Sequence, residues 1–278
     1  MREPGTAADE PGFGGDGKGA SALAPFRDRP LNDLELEVLR LVLSTFRDGA
    51  GQTIKNRPGT VPNSRDYERS LAAVLRARTP ENKGVYDVVV DTAAGPFGIS
   101  CKMVSEQPPA SQCSFMELSN AAAAFREHLL ASQINWATEP GLAGPAIIDM
   151  VSSWHAAAAR DLLIDASASR YSVLTHDRRW ERFQLQCFPM DLRRARPVGD
   201  VAWRVEGRSL NGYIQDGDRE HRLWQCYMNS GGQLKFYPLL SWAEWVSPAF
   251  SLETPPPGSL LRRAREYFHE VWPAEWPE

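Results

Sequence analysis

The segment that most constrains the fold is residues 85–103, VYDVVVDTAAGPFGISCKM. Two short apolar runs flank a Thr/Ala/Gly/Pro segment, which is the pattern of a β-hairpin. Asp87 stands inside the first run and Lys102 inside the second. A buried charge is costly without a partner, so each of the two must lie beside the other or beside other polar groups.

Alternation along the strands decides which side chains share a face. If the turn is a two-residue loop at Ala94-Gly95, Asp87 lies opposite Lys102, and Ser100 joins them on the same face. A looser loop through 92–96 would shift this register. The simplest interpretation of the pair is a cross-strand ion pair worth roughly 0.2–1 kcal/mol. The other interpretation is a functional site, and the surrounding sequence bears on that choice.

Helical patterns lie on both sides of the hairpin. Apolar residues at helical spacing predict a first helix from the capping pair Asn32-Asp33 and a second helix capped by Ser64. A third helix is predicted to begin at Ser114, where Ser114 and Glu117 would form an S-x-x-E capping box. A fourth is predicted over 147–164.

From about Tyr171 the pattern changes to strands, YSVLT, RFQLQCF, VAWRVEG and LNGYI, followed by a hairpin, RLWQCYMNSGGQLKFYPL. A basic helix over 260–269 closes the chain. Helices, a hairpin, more helices and then mostly strands predict an α/β (α+β) fold with an additional β-rich C-terminal part.

The chain reads as one domain with an N-terminal tail. Residues 1–30 are rich in Gly, Ala, Pro and Asp and hold few large apolar side chains, so we expect a mobile tail. Residues 31–278 would form the domain, with a core over roughly 64–130 and the β-rich part over roughly 170–245.

Composition limits the setting more than the function. The net charge is −4 and the pI about 5.8, which gives no overall support for nucleic-acid binding, although a local basic cleft could still provide it. The four cysteines lack zinc spacing, and Cys101 and Cys187 lie in apolar runs, so we expect buried thiols in a reducing cytoplasm. No apolar run reaches bilayer-spanning length, and the N-terminus lacks a signal-peptide pattern, so no membrane association is expected.

The order helix, hairpin, helix with these charges resembles the PD-(D/E)xK nuclease superfamily, to which most type II restriction endonucleases belong. The matching residues are Asp87 in GVYDVVV and Ser100-Cys101-Lys102 in GISCKM, and the resemblance covers roughly residues 64–130. It implies a central mixed sheet flanked by helices and an active site on two neighbouring strands.

The sequence departs from the family pattern at Ser100, where an acid is expected before the lysine. In some restriction enzymes with this serine, a glutamate from the following helix replaces the acid. Glu117 is the candidate here, with Glu106 in the intervening loop as the alternative. The family also often uses a glutamate on the preceding helix, which points to Glu68.

The resemblance implies Mg²⁺ as the cofactor, held by Asp87, Glu117 and the backbone carbonyl of Cys101. Carboxylate oxygens suit this hard cation, which polarises a phosphate and activates water. Lys102 would hold the attacking water or offset the charge that develops on phosphorus. His155, beside Trp154 in the fourth helix, has the context of a structural histidine rather than a catalyst.

Two segments supply candidate DNA contacts. Arg178, Arg179 and Arg182 lie in THDRRWERF, and arginine both pairs guanine and grips phosphates. Gln233 and Lys235 share a strand face after the turn SGG. A solvated basic turn and a plain hairpin are the structural alternatives for these segments.

These observations predict a Mg²⁺-dependent, site-specific endonuclease of the restriction type that acts on double-stranded DNA in the bacterial cytoplasm. A symmetric target would require a homodimer, at least on DNA. The alternatives are a repair or junction nuclease of the same superfamily and a DNA-binding protein without catalysis, which Ser100 favours.

Overall fold

The structure is a computed structural model that describes residues 23–55, 58–80, 84–106, 112–191, 200–256 and 258–274. Its α-helices are α1 (Asp33–Ser44), α2 (Ser64–Leu75), α3 (Ala122–Ala131), α4 (Pro140–Asp161) and α5 (Ser259–Tyr267). Its strands are β1 (Gln52–Thr53), β2 (Thr60–Val61), β3 (Val88–Val90), β4 (Phe97–Ser105), β5 (Phe115–Leu118), β6 (Arg170–His176), β7 (Phe183–Pro189), β8 (Ala202–Glu206), β9 (Ser209–Asp216), β10 (Arg219–Tyr227), β11 (Leu234–Phe236) and β12 (Trp245–Val246).

A five-stranded mixed sheet organises the molecule, with strand order β12-β7-β6-β4-β3. The β4–β6 pair is parallel and the other pairs are antiparallel. The predicted mixed α/β class is therefore confirmed. Within the described ranges, no helix is both long and apolar enough to cross a bilayer.

One face of the mixed sheet is covered by α1 and α2. Asn32, one of the predicted capping pair, caps α1, and the structure adds a capping box between Asn32 and Glu35. Asn63, one residue before the predicted Ser64, caps α2. Tyr67 of α2 is buried, and its hydroxyl lies 2.6 Å from the Ser172 hydroxyl of β6. This contact ties the helix layer to the centre of the sheet.

The opposite face packs against a second, fully antiparallel sheet with order β5-β11-β10-β9-β8, and against α3 and α4. Phe115 of β5 contacts Tyr171 of β6 with a ring separation of 5.1 Å, and meets Phe236 of β11 edge-on at 5.5 Å. These aromatic contacts join the two sheets, so residues at the inner faces of both lie in one core.

The hairpin forms, but its register differs from that of a two-residue turn. Val88 pairs with Ile99, so by extension Asp87 comes opposite Ser100 rather than Lys102. The reason is the longer connection over 91–96, which a hydrogen bond from the Gly95 amide to the Thr92 carbonyl stabilises. The shift moves the pairing by two residues and therefore keeps the same side chains on the same face.

The predicted third helix is wrong over its first turns. Residues 115–118 form strand β5, which pairs with β11, and the helix begins only at Ala122. Phe115 and Glu117 are buried, whereas Met116 between them is exposed, which is the period of a strand. The capping box of Ser114 and Glu117 therefore does not exist. Pairing with β11 outweighed the helical spacing of the apolar residues.

The fourth helix begins at Pro140 rather than at 147 and ends at Asp161 rather than at 164, and the C-terminal strands lie where their patterns placed them. Residues 1–22 of the predicted tail lie outside the described residues. Residues 23–30 form a turn whose Phe26 is buried and contacts Trp245, so this part of the predicted tail packs on the domain.

Candidate functional site

Asp87 lies at the end of the hairpin, immediately before β3. Its backbone amide donates to the Ile99 carbonyl at 2.9 Å, and its carboxylate accepts a hydrogen bond from the Cys101 amide at 2.7 Å. The Asp87 side chain therefore bonds to the backbone of β4 just before the first residue of β3, where backbone pairing between the two strands begins. This places a carboxylate directly against the Ser100-Cys101-Lys102 segment of β4.

The three residues of that segment point in alternate directions. Cys101 faces the layer of α1 and α2 and is buried, whereas Ser100 and Lys102 face the second sheet. Because the N–H and C=O of one strand residue point to the same side, the Cys101 carbonyl faces the edge at which Asp87 lies. Asp87, Ser100, Lys102 and the Cys101 carbonyl, which the sequence predicted as a group, thus meet on one part of β4.

Glu117 reaches this group from the second sheet. Its side chain is 1% exposed and its carboxylate oxygen lies 2.8 Å from Nε2 of His155 on α4. Ser100 lies beside Tyr171 in the parallel β4–β6 register of the mixed sheet, and Glu117 approaches this pair from the second sheet. Glu117 therefore lies in the core between the two sheets.

The two carboxylates have pKa values shifted in opposite directions. Burial raises the pKa of Asp87, and the negative charge of Glu117 adds to the rise against the opposing effects of the Cys101 amide and Lys102. Burial alone would also raise the pKa of Glu117, but the Lys102 charge and the His155 contact outweigh it and lower that pKa. Lys102 acts on both carboxyl groups, so the three charges form one electrostatic unit.

Two buried hydroxyls border the carboxylates of this unit. The Ser100 hydroxyl lies beside Asp87, and the Tyr171 hydroxyl lies beside Glu117. Burial raises the pKa of Tyr171, and the Glu117 charge raises it further, so the phenol stays protonated. Carboxylate and hydroxyl oxygens thus lie together in a buried place, and such a group is suited to hold an ion, a water or a substrate group.

The donor set fits Mg²⁺. The part of the chain that the structure describes holds no group of three or more His, Cys, Asp and Glu side chains arranged for a metal. Mg²⁺, however, is commonly bound through one or two carboxylates together with waters and substrate phosphates. Asp87, Glu117 and the Cys101 carbonyl would hold it, and all three offer oxygen.

The other two candidate glutamates occupy different positions. Glu68 of α2 is half-buried and close enough to Cys101 that, after burial and Asp87, its charge contributes to raising the pKa of that thiol. Glu106 follows the end of β4 and forms a 2.6 Å ion pair with Arg182. At about 3.3 Å per strand residue, Glu106 lies roughly 20 Å from the part of β4 opposite Asp87, too far to share a metal with it.

A cleft of about 930 Å³ opens beside the site, between the end of β4 and the second sheet. Val104 and Ser105 form one wall, and Gln233 and Lys235, both predicted to contact DNA, belong to the other. A smaller cavity of about 230 Å³ shares Val104 and Ser105 with the cleft and includes Arg182. Arg182 thus lies near the cleft that Gln233 and Lys235 line.

Arg178 and Arg179 lie in the turn between β6 and β7, and both are exposed. In the same turn, the Asp177 carboxylate accepts backbone hydrogen bonds from Glu181 and Arg182. Asp177 therefore stabilises the turn, and the side chains of Arg178 and Arg179 are exposed to solvent.

His155 is the residue that sequence reasoning undervalued. It is buried, as a structural histidine would be, but it contacts the candidate acid Glu117. Val151, His155 and Ala159 follow at helical spacing on the buried side of α4. A histidine among apolar residues on the buried side of a helix needs a polar partner in the core. This position of His155 in the apolar pattern could have predicted its contact with a buried polar group.

Comparison with family models, with curated proteins and with solved structures finds no match to this chain.

Proposed function

We propose that the protein is a Mg²⁺-dependent endonuclease that hydrolyses phosphodiester bonds in DNA, related to the restriction enzymes of the PD-(D/E)xK superfamily. The observation that carries this proposal is the meeting of Asp87, Lys102 and Glu117, which come from three separate strands or strand ends, at one place on β4. Phosphoryl chemistry needs this combination of oxygen ligands and a nearby cation.

Each residue has a role that its position supports. Asp87 and Glu117 would hold the metal, which when bound supplies the positive charge that polarises the phosphate and activates water. Lys102 would stabilise the negative charge that develops on the phosphate oxygens. Ser100 places a buried hydroxyl beside Asp87. Glu117 thus takes the place of the acid that the superfamily pattern expects at Ser100.

The proposed substrate is double-stranded DNA with a specific target sequence. Arg182, Gln233 and Lys235 near the cleft, with Arg178 and Arg179 on the adjoining turn, supply groups that grip phosphates and read bases. A symmetric target would be cut by two copies of the chain, one on each strand.

The test is incubation of supercoiled plasmid with the protein in the presence of Mg²⁺ or of EDTA. Discrete, metal-dependent fragments are expected. Asp87→Asn should abolish them, whereas Asp91→Asn should not, because Asp91 belongs to the same hairpin but pairs with Arg78 on the surface at 2.9 Å. Equal loss in both variants, or no cleavage by the parent protein with Mg²⁺ or Mn²⁺, would contradict the proposal.

A second candidate function is DNA binding without catalysis. It is favoured by Ser100 in place of an acid and by the contact between Glu117 and His155, which gives the buried carboxylate a structural partner. This function predicts a gel shift that needs no metal and no cleavage under any metal condition.

A further inference from the structure

The cleft between β4 and the second sheet has a wall of alternating aromatic and cationic side chains. The Arg222 guanidinium lies 5.9 Å from the ring centres of both Tyr213 and Tyr237. Lys235 lies 5.7 Å from the Tyr227 ring. Such contacts keep the cations beside ring faces and leave part of their hydrogen-bonding capacity free.

Hydrogen bonds within the wall formed by the second sheet hold Arg222 and Tyr237 in place, and Gln112 belongs to this wall because it pairs with Leu239. The Gln112 side chain donates to the carbonyls of both Arg222 and Tyr237, each at 3.0 Å. The Tyr237 hydroxyl donates to Gln225 at 2.7 Å. The backbone of Arg222 in β10 and of Tyr237 after β11 is thus fixed, and the Tyr237 ring is held through its hydroxyl, which lowers the cost of ordering this wall on a ligand.

The charge of the cleft suits an anion. Among its described lining residues the ionisable groups are Arg222, Lys235, two tyrosines and Cys113, and none is a carboxylate. Glu206 lies outside the lining, and its carboxylate is 3.9 Å from the Arg222 guanidinium. The Arg222 side chain is 37% exposed, so part of this cation is open to the cleft that it lines.

The volume and position of the cleft further limit the class of ligand that it can bind. About 930 Å³ is the size of a pocket for a drug-sized molecule, which corresponds to one or two nucleotides and is too small for a double helix. Val104 and Phe115, which line the cleft, each stand two residues from a candidate site residue on the same strand face, Lys102 and Glu117. At about 3.3 Å per residue, the cleft begins roughly 7 Å from both.

We infer that this cleft binds an unpaired nucleotide of the substrate DNA, with its base against Tyr237 and its phosphate against Arg222 and Lys235. This inference rests on the proposed nuclease function for its biological setting. It adds that the enzyme takes one nucleotide of its double-stranded target out of the duplex stack next to the scissile phosphate, and an unpaired nucleotide in a test oligonucleotide stands in for that flipped nucleotide.

The test measures binding in EDTA, so that it does not depend on cleavage. Fluorescence anisotropy compares a short single strand, a duplex with one unpaired nucleotide and the fully paired duplex. The parent protein should bind the two forms with unpaired nucleotides more tightly. Tyr237→Leu should weaken that binding by about 5- to 150-fold, the loss of one stacked base at about 1–3 kcal/mol, and should leave fully paired DNA nearly unaffected.

Three further variants separate the contribution of the Tyr237 ring to DNA binding from the contributions of its hydroxyl and of nearby charges. Tyr237→Phe should bind like the parent protein, since Gln225 keeps the Tyr227 hydroxyl as a donor at 3.0 Å. Lys235→Met should reduce the salt slope of DNA binding by about one, the effect of losing one phosphate contact. Arg204→Gln is the matched control, because Arg204 also approaches the Tyr213 ring, at 5.1 Å, but is not a lining residue.

The inference would be wrong if the parent protein bound fully paired DNA as tightly as DNA with an unpaired nucleotide. It would also be wrong if both Tyr237→Leu and Lys235→Met left the binding of unpaired DNA unchanged. Displacement of the oligonucleotide by an equal concentration of free mononucleotide would assign the cleft to free nucleotides instead. If Tyr237→Leu fails to fold, photocrosslinking of the parent to an iodouracil-containing strand decides: attachment at the cleft tyrosines supports the inference, and attachment elsewhere refutes it. Binding of unpaired DNA without any cleavage would refute the nuclease proposal alone.

Discussion

The two carboxylates of the candidate site should respond to neutralisation with opposite changes in stability. Glu117→Gln removes a buried charge whose pKa is lowered by Lys102 and His155 against the effect of burial. Asp87→Asn removes a charge whose pKa burial raises. At neutral pH the first substitution should therefore destabilise the protein and the second should stabilise it.

The size of the Glu117 effect follows from its contacts. Glutamine keeps the length of the side chain, so no cavity is added and the loss is that of a charge-assisted contact, worth about 1.5–3 kcal/mol. With about 2–4 °C per kcal/mol for a large domain, the midpoint of thermal unfolding should fall by roughly 3–12 °C. Asparagine at Asp87 keeps an oxygen for the Cys101 amide, so only the cost of the buried charge disappears.

The pH dependence gives the two effects separate signatures. Because the pKa of Glu117 is lowered in the folded state, its stabilising contribution is present above the ordinary carboxyl pKa, about 4.3, and is lost as pH falls through the lowered value. Because the pKa of Asp87 is raised, its unfavourable contribution grows as pH rises from the ordinary value, about 3.9, through the raised one. Both differences from the parent protein should vanish in acid.

Urea or thermal unfolding of the parent and both variants from neutral pH into the acid range measures these differences. Asp91→Asn serves as the control for loss of a surface carboxylate. A shift in the same direction for Glu117→Gln and Asp87→Asn, or differences that do not change with pH, would refute the electrostatic account of the site.

Further outcomes are expected at the neighbouring residues. Lys102→Met should abolish cleavage while the protein stays folded and binds DNA, as circular dichroism and anisotropy would show; cleavage at the parent rate would reduce Lys102 to a structural partner of the carboxylates. Neutralising Arg178 and Arg179 together should weaken DNA binding and reduce its salt slope by up to about two, one for each phosphate contact; an unchanged slope would place this turn outside the DNA-binding face. His155→Gln, which can still donate to Glu117, should retain more Mg²⁺ affinity in a calorimetric titration than His155→Leu; equal affinities would mean that His155 does not position the carboxylate.

Local patterns predicted much of the fold correctly. The caps near Asn32 and Asn63 and the apolar stripes beyond them were sufficient for α1 and α2, because these signals act within a few residues of the chain. The strands after Tyr171 followed from alternation and turn residues for the same reason. Alternation also placed Asp87, Ser100 and Lys102 on one face, a result that survived the change of register because the pairing moved by two residues.

What local patterns could not decide was which distant segments meet. Glu117 stands in a stretch with helical spacing, but pairing with β11, more than a hundred residues later, makes it a strand and turns its carboxylate into the core. The contact of Glu117 with His155 and the cleft beside Lys102 likewise depend on how the second sheet packs on the first. The sequence by itself therefore determined the residue types and the face they share, whereas the tertiary structure decided their partners, because burial and long-range pairing outweigh local propensity when the two disagree.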